Sequence, residues 1–155
     1  MHRFLSATAI LSVLTLPALA DGDIAAGEKI FKKCKSCHMI APPDGDPIVK
    51  GGKTGPNLYG VIGRTAGSVE GARYSKALKA AGEAGLVWDV ENLAAFVTDP
   101  KAFLQEVSGD SSARSNMTFK LKTGGEEVAA YLLSVGPAPE PEMMEGEAEE
   151  ATETQ

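Results

Sequence analysis

Five consecutive residues, Cys34-Lys35-Ser36-Cys37-His38, constrain this chain more than any other stretch. The spacing Cys-x-x-Cys-His is typical of covalent haem attachment, because two thiols three residues apart can each form a thioether to one edge of the ring. The turn that carries them then points His38 at the iron from one face. We therefore predict one haem c per chain, bound covalently through Cys34 and Cys37, with His38 as the proximal iron ligand.

Two other kinds of site use the same residue types. A structural zinc site needs about four Cys, His or carboxylate ligands, but the chain has no third Cys and only His2 as a further histidine. A thioredoxin-like dithiol follows a strand, whereas residues 24–33 have a helical pattern. A surface histidine beside an incidental disulfide would leave the rest of the sequence unexplained.

The N-terminal end resembles a targeting segment. A basic start at His2 and Arg3 precedes a largely apolar run over residues 4–19, and Ala18-Leu19-Ala20 is a small-x-small cleavage site. We interpret residues 1–20 as a secretory signal peptide; the alternative is an uncleaved anchor, although the run is shorter than the about 20 residues of a membrane span. We expect a periplasmic location, because haem is attached to exported chains after translocation.

The C-terminal end has an unusual composition. Residues 137–155 contain seven Glu, three Pro and no Lys or Arg, and such a segment cannot bury enough apolar surface to fold. We predict a disordered acidic tail there. The domain over residues 21–136 then has 14 Lys and Arg against 14 Asp and Glu, so the net charge of −6 for the whole chain says little about the surface charge of the folded domain.

The domain has helical periodicity and no convincing strand pattern. The first helix is predicted from Asp23, as N-cap, to Cys37, with Gly27 at a close helix crossing. Loop follows over residues 39–63. Four more helices are predicted at 75–81 closed by Gly82, from the N-cap Asp89 to before Pro100, at 101–107, and from a capping box at Thr123-Gly-Gly-Glu126 to Val135. We expect an all-α fold of about five short helices with long loops.

A second axial ligand decides what a haem protein does, because a strong protein ligand favours electron transfer and an open position allows small molecules to bind. Met39 adjoins His38 and cannot reach the opposite face, while Met143 and Met144 lie in the acidic tail. Met117 lies in a polar loop far along the chain. We therefore predict Met117 as the distal ligand; if Met117 were unbound, a ligand-binding sensor or a peroxidase-like enzyme would be the alternative.

Several stretches together resemble the class I cytochromes c over residues 23–136. The similar features are Gly27 and Phe31 with Tyr131, the stretch from Gly55-Pro56-Asn57 to Arg64, Asp99-Pro100-Lys101, and Met117-Thr118-Phe119. The resemblance implies the class I cytochrome c fold. It also implies that the Pro56 carbonyl accepts from the proximal histidine and that Arg64, Tyr74 and Trp88 support the haem propionates.

Three features depart from the family pattern. Phe96 replaces a tyrosine whose hydroxyl commonly reaches the methionine sulfur, and Leu78 replaces an asparagine of a buried polar network. The chain also has extra residues between Pro100 and Met117 and over residues 39–52, as in the larger bacterial members. These departures affect the expected reduction potential more than the expected fold.

The resemblance implies an electron carrier rather than an enzyme. We expect a monomer that shuttles single electrons between membrane-bound redox complexes, for example a bc1-type donor and a terminal oxidase or other periplasmic reductase. No nucleic-acid partner is expected. Acidic patches on the complexes would be contacted by lysines near the haem edge, namely Lys29, Lys32, Lys33, Lys35, Lys53, Lys101, Lys120 and Lys122.

Overall fold

The computed structural model describes residues 21–137. The expected signal peptide (1–20) and all of the acidic tail beyond Pro137 lie outside the described residues. Within them there are five helices and only two isolated antiparallel bridges, Ile40 with Val49 and Thr65 with Val87. The all-α prediction is confirmed. The helices are α1 (Asp21–Phe31), α2 (Lys76–Glu83), α3 (Val90–Thr98), α4 (Pro100–Ser108) and α5 (Gly125–Val135).

The first and last helices form the most extensive helix interface. Gly27 makes this possible, because a Cβ at this position would overlap the Glu127 carbonyl and lie 2.7 Å from the Tyr131 Cβ. Next to the crossing the rings of Phe31 and Tyr131 are 5.7 Å apart. The predicted close crossing at Gly27 is confirmed.

The remaining helices complete one core. α5 also packs on α3, and α4 contacts α3 and α2. Each of the five helices contributes buried side chains; among the largest are Phe31, Leu104, Val128 and Leu132. Within residues 21–137 no helix is both long enough and apolar enough to cross a membrane.

The predicted N-cap of α3 is confirmed. Asp89 accepts from the backbone N–H of Asn92, and the Asn92 amide oxygen accepts from Asp89 N–H, forming a capping box. Asp99 then ends α3 and caps α4, accepting from Ala102 N–H, with Pro100 at the first helical position. Caps are short-range interactions, which explains why the sequence pattern predicts the N-cap Asp89.

Three predicted boundaries are wrong. α1 includes Asp23 and ends at Phe31 rather than Cys37, because bonds from Lys33 N–H to Ile30 O and from Cys34 N–H to Phe31 O tighten the chain into turns. Gly82 does not close α2: it lies inside the helix, which ends at Glu83 after the N-cap Ser75.

The predicted capping box of α5 is absent as well. Gly124, with φ of 88°, precedes the helix, and no side chain caps it. Thr123 is therefore not the N-cap. The cause is packing between helices, because a Cβ at Gly125 would lie 2.9 Å from the carbonyl oxygen of Ala94 in α3. The start of α5 packs closely on the α3 backbone instead of being capped.

Candidate haem-binding site

The attachment motif forms a tight turn directly after α1. The N–H groups of Cys37 and His38 both donate to Cys34 O, at 3.1 and 3.0 Å. Cys34 is half-buried against the core and Cys37 is exposed, and the two thiols do not form a disulfide with each other. Burial raises the pKa of the Cys34 thiol, whereas hydrogen bonds from Thr54 and Ser36 lower the pKa of Cys37.

The His38 ring is held by one hydrogen bond. Its Nδ1 lies 2.8 Å from the carbonyl oxygen of Pro56, and because a carbonyl can only accept, Nδ1 carries the hydrogen. Burial lowers the pKa of His38, an effect that the bond to Pro56 opposes. With the hydrogen on Nδ1, the neutral form of the ring has the lone pair of Nε2 available to bind a metal.

Three glycines allow the loop over residues 51–56 to pack against the attachment turn. A Cβ at Gly55 would overlap the His38 ring, and one at Gly51 or Gly52 would overlap the backbone carbonyls of the turn. Two hydrogen bonds join the segments, from Gly52 N–H to Lys35 O and from Gly55 N–H to Cys37 O, both 2.9 Å. The sequence pattern marks these glycines only as turn residues.

Asn57 organises the same loop and was missed by sequence reasoning. Its Oδ1 accepts from Ala41 N–H at 3.0 Å and Tyr59 N–H at 3.1 Å, and its Nδ2 donates to Ala41 O at 2.6 Å. The side chain therefore links the segment after His38 to the segment after Pro56. Its position directly after Gly55-Pro56 is a turn signal, but its partners could not be identified from the sequence.

Arg64 links the two other residues expected to support the haem propionates, because Tyr74 lies near its charge and Trp88 is bonded to its backbone. Arg64 Nη1 donates to Tyr59 O at 3.2 Å and Nη2 to Asn57 O at 3.0 Å, while Trp88 N–H donates to Arg64 O at 3.0 Å. Burial raises the pKa of Tyr74, and the positive charge of Arg64 opposes this. The guanidinium of Arg64 and the phenol of Tyr74 are thus neighbours, and the backbone of Trp88 is joined to that of Arg64.

The two substituted residues among the departures from the family pattern, Phe96 and Leu78, lie in apolar surroundings. Phe96 is 7 % exposed, with its ring centroid 5.0 Å from that of Trp88 and 5.8 Å from that of Phe103. Leu78 is buried. Both side chains therefore act as packing residues, and neither can donate a hydrogen bond to a methionine sulfur or a buried network.

Met117 lies in the loop between α4 and α5, half-buried against the same core as Cys34. Its N–H donates to Ser115 Oγ at 3.1 Å, and Asn116 Nδ2 donates to Arg73 O at 3.3 Å, which ties this loop to the segment before Tyr74. Met117 and Cys34 therefore approach one core from two different loops.

The donor set fits a covalently bound haem. Two thiols lie within one turn before a histidine whose Nε2 can bind a metal, and a half-buried thioether packs elsewhere on the same core. Residues 21–137 contain no cluster of three or more His, Cys, Asp or Glu that could hold a metal ion, so the ligands of a structural zinc site are not assembled there. Helix α1 precedes the motif where a thioredoxin-like site would have a strand.

The proposed docking lysines are all exposed. One of them differs from the others: Lys120 Nζ lies 2.6 Å from Asp99 Oδ2 in an ion pair. Among residues 21–137 no other lysine forms an ion pair. Lys120 is therefore less available to an acidic partner than the other lysines of this group.

Comparison with known proteins identifies the family. No family model matches the chain. It is 56% identical over 135 residues to cytochrome c-551 of Roseobacter denitrificans, covering 87% of this chain and 96% of that protein. It is 55% identical over 130 residues to cytochrome c2 of Rhodobacter capsulatus, covering 84% and 94%.

The fold agrees with these relatives. The solved structure of cytochrome c2 from Rhodobacter capsulatus matches with a TM-score of 0.72 at 56% identity, covering 74% of this chain and 98% of that one. The expected class I cytochrome c fold is thereby confirmed. The chain belongs to the class I c-type cytochromes, in the group of the cytochromes c2 and c-550, which are haem-containing electron carriers rather than enzymes.

Proposed function

We propose that this protein is a periplasmic one-electron carrier, exported by residues 1–20, that shuttles electrons between membrane-bound redox complexes. Examples of such complexes are a bc1-type donor and, as acceptor, a terminal oxidase or other periplasmic reductase. Cys34 and Cys37 would hold the haem, with His38 and Met117 as axial ligands. The bound haem supplies the Fe(III)/Fe(II) couple.

The hydrogen bond from His38 Nδ1 to Pro56 O is the observation that carries this proposal. It fixes the tautomer and the orientation of the ring. Gly55 packs so closely against the ring that even a Cβ at this position would overlap it. A ligand held in this way keeps its position when the metal changes charge, so little has to reorganise. This favours electron transfer over ligand exchange.

Arg64, Tyr74 and Trp88 supply the second part of the proposed site. Haem propionates are anionic, and a half-buried guanidinium next to a phenol would stabilise them by charge and hydrogen bonding. The buried Trp88 ring packs against the rings of Phe96 and Phe103. This packing fixes the orientation of its indole. We assign propionate support to these three residues.

Docking would use the exposed lysines around the attachment turn and the Met117 loop. Lys32, Lys33 and Lys35 follow α1 directly, and Lys53 lies in the loop that packs on the turn. A positive surface at the haem edge would steer the carrier toward acidic patches and raise the encounter rate. This steering weakens as salt is added.

The proposal is tested by the optical spectrum of the mature protein, oxidised and reduced. Ferric haem ligated by methionine has a weak near-infrared charge-transfer band, which we expect in the wild type and in the control variant Met39→Ala. The band should disappear in Met117→Ala. A wild-type protein with covalent haem, high-spin iron and ready CO binding would contradict the proposal and favour a ligand-binding sensor.

A further inference from the structure

The position of Pro137 shows where the acidic C-terminal segment begins. A Cβ at Gly60 would lie 3.2 Å from Pro137 Cδ, and one at Gly136 would lie 3.4 Å from Gly60 Cα. The end of α5 is therefore packed on the loop around Gly60. Residues 138–155, with seven Glu and no Lys or Arg, start from this point.

The same loop leads to the proposed docking lysines. It carries Lys53, and Gly52 N–H donates to Lys35 O at 2.9 Å. Lys53 precedes Gly60 by seven residues, which can span at most about 25 Å. The 18 residues after Pro137 can extend to about 60 Å. The length of the acidic segment is therefore sufficient to reach Lys32, Lys33, Lys35 and Lys53.

The surface charges favour binding of the acidic segment at these lysines over binding in the other large surface feature, a groove. This groove between α3, α4 and α5 is lined by carboxylates and by no Lys or Arg, so it would repel the segment; its acidic residues are Asp23, Asp89, Glu91, Asp99, Glu106, Glu126 and Glu127. By contrast, in the described part of the chain Lys32, Lys33, Lys35 and Lys53 have no carboxylate within 4.0 Å.

We propose that residues 138–155 bind the surface formed by Lys32, Lys33, Lys35 and Lys53 of the same molecule and compete there with acidic partners. Only the role as a competitor rests on the function proposed above. Tethering makes the segment an intramolecular competitor at an effective concentration of about 1 mM. Exposed ion pairs are individually weak, so the competition is strongest at low salt.

The contact can be tested by amide NMR spectra of the reduced holoprotein. The full mature chain is compared with a variant in which all seven Glu of residues 138–155 are replaced by Gln, and with the control Glu91→Gln/Glu106→Gln in the groove. We expect shifted signals at Lys32, Lys33, Lys35 and Lys53 only when the C-terminal charges are removed. The difference should vanish in about 1 M NaCl, where the Debye length is about 3 Å. Changes confined to the surroundings of Gly60 would overturn the proposal.

Competition with an acidic partner is tested by the binding of the mature chain and of the Glu→Gln variant to anionic vesicles. The vesicles contain equal parts phosphatidylcholine and phosphatidylglycerol. Removing the seven charges should raise the affinity at least about twofold, the factor expected if the segment covers the lysines in half of the molecules. Equal vesicle affinity of the mature chain and the Glu→Gln variant would overturn the proposal that the segment competes with acidic partners. If neither chain bound these vesicles while the NMR contact was present, the docking surface would be wrong and the intramolecular contact would stand.

Discussion

The Nδ1 atom of His38 lies 2.8 Å from the carbonyl oxygen of Pro56, and Gly55, the residue before this proline, packs directly against the imidazole. One short stretch of loop therefore orients the ring by a hydrogen bond and confines it by contact. The ring nitrogen that faces away from Pro56 is left as the donor to a metal.

Replacing Gly55 by Ala should displace the His38 ring, because the new Cβ would overlap it. Overpacking of this kind costs about 1–3 kcal/mol. We expect a lower free energy of unfolding in guanidinium and an altered spectrum of the bound haem. Gly71→Ala is the control, since its Cβ would meet nothing within 4 Å and only the strain of φ at 74° is added. Equal spectra of the two variants would contradict the assigned contact.

Gly27→Ala should separate α1 from α5. Alanine favours an isolated helix by about 1 kcal/mol, but here its Cβ would overlap the Glu127 backbone. We expect a net loss of about 1–3 kcal/mol in denaturant unfolding followed by circular dichroism. The exposed neighbour Glu28, changed to Ala, is the control and should change the stability by less than about 0.5 kcal/mol. A Gly27→Ala protein as stable as wild type would show that the helices do not cross this closely.

The ion pair between Asp99 and Lys120 should make stability depend on acid pH. Hydrogen bonds from Lys120 and then from Ala102 N–H lower the pKa of Asp99 below its usual value. A lowered carboxyl pKa stabilises the folded state above the unfolded pKa of about 3.9, and this stabilisation is lost as the pH falls through the folded value.

This dependence is measured as the melting temperature of wild type and Asp99→Asn as a function of pH. Asparagine keeps the N-cap of α4 but loses the charge. The wild type should melt higher near pH 7, and the two curves should converge below about pH 4. A difference that stayed constant into acid would mean that the charge of Asp99 contributes nothing.

Neutralising a docking lysine should slow electron transfer at low ionic strength. We expect Lys33→Gln to lower the rate of reduction by a bc1-type complex about two- to fivefold. Lys120→Gln should have a smaller effect because Lys120 is already paired with Asp99. The exposed Lys79 on α2, changed to Gln, is the control. Rates that barely respond to salt or to Lys33→Gln would exclude steering by this surface.

The parts of the fold that depend on neighbours in sequence could be predicted. Asp89 marks the start of α3 and Pro100 marks its end through interactions between near neighbours, and both predictions agree with the structure. Gly82 and Gly124 were misread as a helix end and as part of a capping box. A Cβ at Gly82 would overlap the Ala66 carbonyl, a contact between distant segments that no local pattern contains.

The residues of the candidate site also fall into two groups, those that a local motif indicates and those whose contacts depend on the fold. The motif itself indicates the roles of Cys34, Cys37 and His38, because the chemistry requires those residue types at that spacing. Asn57 could not be recognised, since its three hydrogen bonds join two loops that only the fold brings together. The pairing of Lys120 with Asp99 could not be predicted from the sequence for the same reason.

The packing of Phe31 on Tyr131 also bears on the order of events during synthesis. A chain grows from its N-terminus, so Cys34 and Cys37 exist long before α5 has been made. Their thiols are therefore accessible to modification while the helix that covers the end of α1 is still missing. Attachment chemistry can then precede final folding, and the last helix to be made closes the domain.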